Sequence, residues 1–242
     1  MTVPYKENLP KKQQVKIMFN HIARKYDFLN RLLSLGNDRC WRRKTVKHIV
    51  RLLNGKKPAL MLDLATGTGE LAKDLLRLNP EATVYGVDIA EDMIKLARQK
   101  FSKVKGLVFE TGDGERLPFE DDSFEVVTIG FGIRNYNDID KGLAEAYRVL
   151  KRGGVFAVLE LSVPRNPVYR IFYEMHSGIF IPLVGLIFAG DLKAYTYLHD
   201  SIKEFVQKVD VVQKMKATGF SSVEVYTYTF GTVKLYLAIK ES

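Results

Sequence analysis

Hydrophobic positions along the chain follow a helical period first and a strand-and-helix alternation afterwards. From Lys11 to Leu33, Val15, Met18, Phe19, Ile22, Tyr26 and Leu29 recur three or four residues apart, which predicts a helix interrupted near Asp27. A second helix is expected over residues 39–53. Val46, Ile49, Val50 and Leu53 form its apolar stripe, while Arg43, Lys47 and Arg51 line another face. Beyond Gly55 and Pro58, short apolar runs at 59–64, 83–87, 107–110, 125–130 and 155–161 read as strands. Helical segments separate them: one ending at Leu78, one over 91–101 and one over 139–150. A helix over 201–218 and an antiparallel pair, 223–229 and 232–239 around Gly231, complete the pattern. This alternation predicts an α/β fold with a seven-stranded, doubly wound, Rossmann-like sheet. Residues 1–57 form a helical extension, loose over the first nine residues, and residues 58–242 form the main domain. Residues 164–199 interrupt the rhythm before the final helix. Their bulky side chains, among them Tyr169, Phe172, Tyr173, Phe180, Leu183 and Ile187, suit an insertion that covers a site.

Composition narrows the class. The chain has 242 residues, 46% hydrophobic and 27% charged, which is ordinary for a globular protein with a large core. A single cysteine, Cys40, excludes a disulfide framework and a cysteine-built zinc site. No secretory leader is visible, and the longest apolar stretch, residues 179–189, is about half of a membrane span. A cytoplasmic protein is expected, with monomer and homodimer both open. Charge is uneven: residues 1–57 carry a net +12 and the remainder a net −3. That asymmetry points to an anionic partner surface, and an ordinary solvated basic helix has the same signature.

In an open parallel sheet, ligands bind beyond the carboxyl ends of the strands. Here those ends carry Gly67-Thr68-Gly69, Asp88, Asp113-Gly114 and Gly130. Glycines permit close backbone approach, and the helix that follows presents free N–H groups. Asp88 lies 19 residues after Gly69, a spacing at which a carboxylate grips ribose hydroxyls. Gly67 to Ala72 also satisfies the dinucleotide fingerprint. However, Asp63 and Glu70 bracket the loop with no Lys or Arg within it, which disfavours pyrophosphate and favours a cationic ligand. S-adenosylmethionine fits that pattern better than a nicotinamide cofactor.

Several motifs then stand in a specific order: Tyr26-Asp27-Phe28-Leu29-Asn30, Phe131-Gly132-Ile133-Arg134-Asn135, Arg148 to Gly154, and Glu160-Leu161-Ser162. In this arrangement the chain resembles the ubiquinone/menaquinone biosynthesis C-methyltransferase family from about Lys12 to its end. The resemblance implies a class I methyltransferase fold and S-adenosylmethionine as cofactor, yielding S-adenosylhomocysteine. Thr68, Asp88, Asp113 and Gly114 would touch that cofactor. Gly130 replaces a serine that family members use there. The implied reaction is C-methylation of a reduced demethylmenaquinone, a polyprenyl naphthoquinol, to menaquinol. A related benzoquinol of the ubiquinone pathway, or another phenolic or lipid acceptor, is the alternative.

A quinol carbon becomes nucleophilic when the neighbouring hydroxyl ionises. Arg134 is the expected stabiliser of that phenolate, orienting a water that takes the proton. Asn135 would hold the second ring oxygen, and Tyr26 and Asp27 join the site if the N-terminal helix folds over it. An ion pair of Arg134 with Asp138 or Asp140 is the competing structural role. His176 and His199 belong to no recognised motif, and no metal-ligand spacing is present, so no metal is expected. A lipid-borne substrate would bring the enzyme to the inner face of an anionic membrane, with Arg43, Lys47 and Arg51 making contact. An RNA-binding role for the basic helices lacks aromatic–basic interleaving, so no nucleic-acid partner is expected.

Overall fold

The computed structural model describes residues 2–5 and 8–241. Seven strands form one sheet in the order β3-β2-β1-β4-β5-β7-β6. They are β1 (Leu60–Leu64), β2 (Thr83–Asp88), β3 (Leu107–Thr111), β4 (Phe124–Gly130), β5 (Leu150–Leu161), β6 (Val223–Tyr228) and β7 (Val233–Ile239). The first five run parallel, and β7 pairs antiparallel with both β5 and β6. Strand order reverses between β1 and β4, so a crevice opens beyond their carboxyl ends. Central strands are buried on both faces: Leu62, Leu64, Val127 and Ile129 pack on one side, Met61, Val84, Val126 and Leu159 on the other.

Helices α1 (Lys11–Leu33) and α2 (Asn37–Leu53) precede the sheet. Helix α3 (Glu70–Leu75) follows β1, α4 (Glu91–Lys100) follows β2, and α5 (Ile139–Val149) follows β4. After β5, α6 (Pro167–Met175) continues through a π-helical turn into α7 (Ile181–Val184) and a second such turn to Ala189. Gly190, at φ +72°, lets the chain reverse into α8 (Leu192–Lys208), and α9 (Val211–Thr218) leads to β6.

Four sequence expectations are corrected. Helix α1 is unbroken through Asp27, because Ile22, Ala23, Leu29 and Leu33 keep one buried face on either side of it. The arm before it is anchored rather than loose: Thr2 bonds Glu204 through its N–H (2.5 Å) and its hydroxyl (2.6 Å), and the Tyr5 hydroxyl donates to Asp191 at 2.8 Å. Residues 6 and 7 of that arm lie outside the described residues. The helix expected over 201–218 is two, since Val209 is extended and Asp210 caps α9 by accepting from the Gln213 N–H at 3.0 Å. Finally, Pro167–Ile187 is one helical run of 21 residues with mean hydropathy 1.2, long and apolar enough by length and composition to cross a membrane, with 28% of its most apolar stretch buried. Reading only residues 179–189 missed it, because Arg170 and Glu174 divide an otherwise apolar run.

Candidate active site

Two cavities meet at the carboxyl ends of β1 and β4. The smaller, about 70 Å³, lies over Gly67, Asp88, Asp113 and Gly114. The larger, about 460 Å³, extends beneath α6, α7 and α8. Phe19, Tyr26, Ala65, Gly130 and Phe131 line both. Ala65 and Phe131 hold left-handed backbone (φ 51° and 57°), an uncommon conformation for non-glycine residues that concentrates at functional sites.

The smaller cavity is acidic. Asp88 ends β2 and accepts from the N–H groups of Gly67 (2.8 Å) and Ala90 (2.9 Å), which fastens the glycine loop to β2. Burial pushes its carboxyl above the ordinary aspartate value. Asp113 and Glu115 share the wall and both hold the Lys12 ammonium, at 2.6 and 2.9 Å. Three carboxylates thus face one ammonium. The acidic character arises differently from the sequence expectation. Asp63 points into the core, where Thr66 and Thr128 hydroxyls donate to it at 2.6 Å each, and burial raises its pKa to about 6. Glu70 is engaged by Arg42 (3.2 Å) and Lys100 (2.5 Å).

Tyr136, which sequence reasoning passed over, completes this wall. Its hydroxyl is buried without a hydrogen-bond partner and stands over Gly114, where a Cβ would strike it. Burial, reinforced by Asp88, Glu115 and Asp113, pushes its pKa upward, so it remains a donor. An unpartnered hydroxyl beside carboxylates and bare glycine backbone suits a cationic ligand that carries a polar heterocycle. The remaining loop residues divide. Thr68 lines the larger cavity, with its hydroxyl donating to Asp27, while Gly69 abuts Phe109 and serves helix–strand packing.

The larger cavity is mostly apolar, with Arg134 inside it. A short helical turn (Ile133–Asn135) carries this residue at the end of β4. Its Nη1 donates to the Phe131 carbonyl at 2.6 Å and to Glu160 at 2.8 Å, while Nε is buried and unpartnered. Glu160, at the end of β5, is the actual ion-pair partner. Asp138 instead caps α5, and Asp140 holds Lys214 at 2.7 Å. An acidic residue closing an apolar strand was the available signal for Glu160. Tyr26 is half-buried, and its phenol is pushed up by burial, with Asn30 and Arg134 opposing, so it stays neutral at physiological pH. Asp27, expected among the catalytic groups, is tied to Thr68 and to Lys100 at 2.5 Å. Asn135 lines the smaller cavity, where its Oδ1 accepts from the Tyr197 hydroxyl at 2.9 Å. His176 and His199 both line the larger cavity. His176 Nε2 is buried without a partner, and desolvation holds its pKa low, whereas His199 Nδ1 lies 3.1 Å from the Ser177 hydroxyl. Among the described residues no group of three or more His, Cys, Asp and Glu could hold a metal ion.

This arrangement can be set beside known proteins. The model of the ubiE/COQ5 methyltransferase family matches residues 7–240. The chain belongs to the ubiE/COQ5 methyltransferase family. It is 40% identical to a demethylmenaquinone methyltransferase of Bacteroides fragilis, over 98% of this chain and 96% of that one. It is 38% identical to one from Chlorobaculum parvum, over 95% and 93%. A ubiquinone/menaquinone biosynthesis C-methyltransferase of Geotalea daltonii is likewise 38% identical, over 95% and 97%. Among solved structures, a Thermotoga maritima S-adenosylmethionine-dependent methyltransferase has a TM-score of 0.59 at 20% identity, covering 93% of this chain and 99% of that one. That similarity shows the fold. As a ubiE/COQ5 member, the chain is an S-adenosylmethionine-dependent methyltransferase. The acidic lining of the smaller cavity and its unpartnered Tyr136 hydroxyl match the charge and polarity of that methyl donor.

Proposed function

We propose that this ubiE/COQ5 methyltransferase converts a reduced demethylmenaquinone to menaquinol by methylating a ring carbon. The observation that carries the reading is the apolar cavity of about 460 Å³, which meets the acidic cavity at Tyr26 and Gly130 and encloses Arg134. The relatives' names point the same way.

Asp88, Asp113, Gly114 and Tyr136 would hold the cofactor, with Gly67 and Gly130 leaving room for close backbone approach. When bound, it supplies an electrophilic methyl group on a positively charged sulfur. A pocket for such a ligand commonly occupies on the order of 300–1,000 Å³. Admitting it therefore requires α1, which roofs the smaller cavity through Lys12, Val15, Phe19 and Tyr26, to lift. The quinol ring lies in the larger cavity, and its hydroxyl proton leaves through a water oriented by Arg134. The guanidinium Nε–H, free of protein partners, donates to the resulting phenolate oxygen. Charge held on that oxygen beside Arg134 would make the neighbouring carbon the nucleophile that takes the methyl group from the sulfur of the bound cofactor. Loss of the ring proton to water would then restore aromaticity as a phenolate, and return of a proton from water to its oxygen would give the quinol, so that one proton is released overall. Glu160 fixes the guanidinium plane, and Tyr26 donates as a neutral phenol. Holding carbon and methyl about 3–3.5 Å apart contributes on the order of 7–11 kcal/mol.

The test is turnover of labelled S-adenosylmethionine with a chemically reduced demethylmenaquinone analogue, run beside the oxidised quinone and a reduced benzoquinol. Methylation of the reduced naphthoquinol alone is expected. Methylation of the benzoquinol at equal or higher efficiency would move the substrate to the ubiquinone series, and no methylation of any quinol would end the proposal.

A further inference from the structure

The helical run Pro167–Ile187 exposes far more apolar surface than a helix over a core requires. Ile171, Met175, Ile179, Leu183 and Ile187 recur every fourth residue, and each is at least 51% exposed. That spacing places them on one continuous face. Only two residues of the run are charged, Arg170 and Glu174. Glu174 turns inward to α8, 3.3 Å from Lys203 and 3.5 Å from His199. The outward stripe is therefore uninterrupted by acid. An exposed apolar stripe of this length on a globular protein marks an interaction surface.

The neighbourhood identifies the partner. At the mouth of the larger cavity stand Leu35, Tyr169, Phe172 and Phe230, all exposed, with Tyr169 stacked on Phe230 at 4.4 Å between centroids. Arg31 and Arg39 share that mouth, and Arg165 and Arg170 begin the apolar run. None of these four arginines has a carboxylate within ion-pair distance among the described residues. Within the basic extension Arg42 is paired with Asp38, Glu70 and Asp74, Arg51 with Glu224, and Lys12 with Asp113 and Glu115. Arg43 and Lys47 also lack an ion pair among the described residues, but they do not line the cavity mouth as Arg31 and Arg39 do. An apolar stripe flanked by unanswered arginines is the composition of a helix lying in a lipid interface.

We propose that this stripe and the cavity mouth together dock on an anionic lipid bilayer, with the helix lying in the plane of the leaflet and the cavity opening toward the acyl chains. The run lies on the membrane and does not cross it, because Gly185 packs against Tyr195 of the returning helix α8, whose Tyr195 and Tyr197 are buried in the protein. The inference rests on the quinol reading for its purpose, since a polyprenyl tail could then pass from bilayer to cavity without crossing water. It also relocates the contact from Arg43, Lys47 and Arg51 to the insertion.

Co-sedimentation of the full chain with phosphatidylglycerol-containing vesicles tests this. The wild type is expected to bind them and to bind phosphatidylcholine vesicles weakly. Ile179→Glu/Ile187→Glu should weaken binding about tenfold or more, and Arg31→Glu/Arg39→Glu about tenfold, given the contribution of each basic residue near an anionic leaflet. Arg43→Glu/Lys47→Glu should change it less than about threefold. All three variants should bind S-adenosylhomocysteine as the wild type does, which checks folding. Equal vesicle binding by wild type and Ile179→Glu/Ile187→Glu would overturn the proposal. So would a wild type that ignores vesicles but forms a dimer which that variant abolishes. Methylation of a detergent-dispersed, short-tailed quinol reads the function separately: its absence counts against the substrate, while sedimentation still decides the surface.

Discussion

Arg134 occupies the end of β4 with one guanidinium nitrogen fixed by Phe131 and Glu160 and Nε left without a partner. A buried donor that no protein group satisfies is costly unless a ligand or water meets it. Arg134→Ala should therefore lower kcat by roughly 10²–10³ while leaving S-adenosylhomocysteine affinity within about twofold, the size of effect seen when one oxyanion donor is lost. Retention of the full rate would remove Arg134 from the chemistry. Tyr136 makes the converse case on the cofactor side. Tyr136→Phe should weaken S-adenosylhomocysteine binding roughly threefold to tenfold by calorimetry, with quinol KM little changed. Arg134 was readable in the sequence because it follows a strand end within a recognisable motif. Tyr136 was not, since an aromatic two residues farther on reads equally well as core until its hydroxyl is seen standing over Gly114. Asp63 was assigned to the right loop but the wrong environment. Its pKa of about 6 lies above the usual carboxyl value, so between about pH 4 and 6 the folded protein keeps a proton that the unfolded chain has released. Its contribution to stability is thus greatest below about pH 4 and declines as pH rises through about 6. Asp63→Asn should flatten the stability–pH profile across that window in urea unfolding, and an unchanged slope would count against this assignment.

Among the elements, α2 and α3 are joined by one side chain. Arg42 reaches from α2 to Asp38 (2.7 Å), Asp74 (3.1 Å) and Glu70 (3.2 Å), in a largely buried cluster. Removing the cation leaves Asp38 without an ion pair and Glu70 and Asp74 with Lys100 and Arg77, so Arg42→Ala should cost about 3 kcal/mol in unfolding free energy. A loss under about 1 kcal/mol would show that water reaches the cluster freely. The strands and most helices were legible because their periods are clear and glycine, proline or aspartate punctuates them. The break at Val209–Asp210 was hidden, since apolar spacing continues across it and only the Asp210 cap reveals the boundary. The 21-residue run was hidden for the opposite reason: two charged residues made one helix look like a short apolar stretch.

For the whole molecule, the alternation of strands and helices was sufficient to place a crevice beyond β1 and β4. What the one-dimensional pattern could not supply was which side chains turn toward it. The loop carboxylate Asp63 faces the core and Glu70, which lines the larger cavity, is held by Arg42 and Lys100, while Asp88, Asp113 and Glu115 supply the charge of the smaller one. In the proposed reaction the two cavities divide the work, the acidic one taking the cationic donor and the apolar one the ring and its tail, and they meet at Tyr26 and Gly130. The most direct measurement uses S-adenosylmethionine labelled with ¹³C in the transferred methyl and a tail-bearing reduced demethylmenaquinone. A single new ¹³C resonance in the range of a methyl on an aromatic carbon is expected, together with its loss in Arg134→Ala. A methoxy resonance, or no transfer to the quinol by a protein that binds S-adenosylhomocysteine, would contradict the proposed reaction.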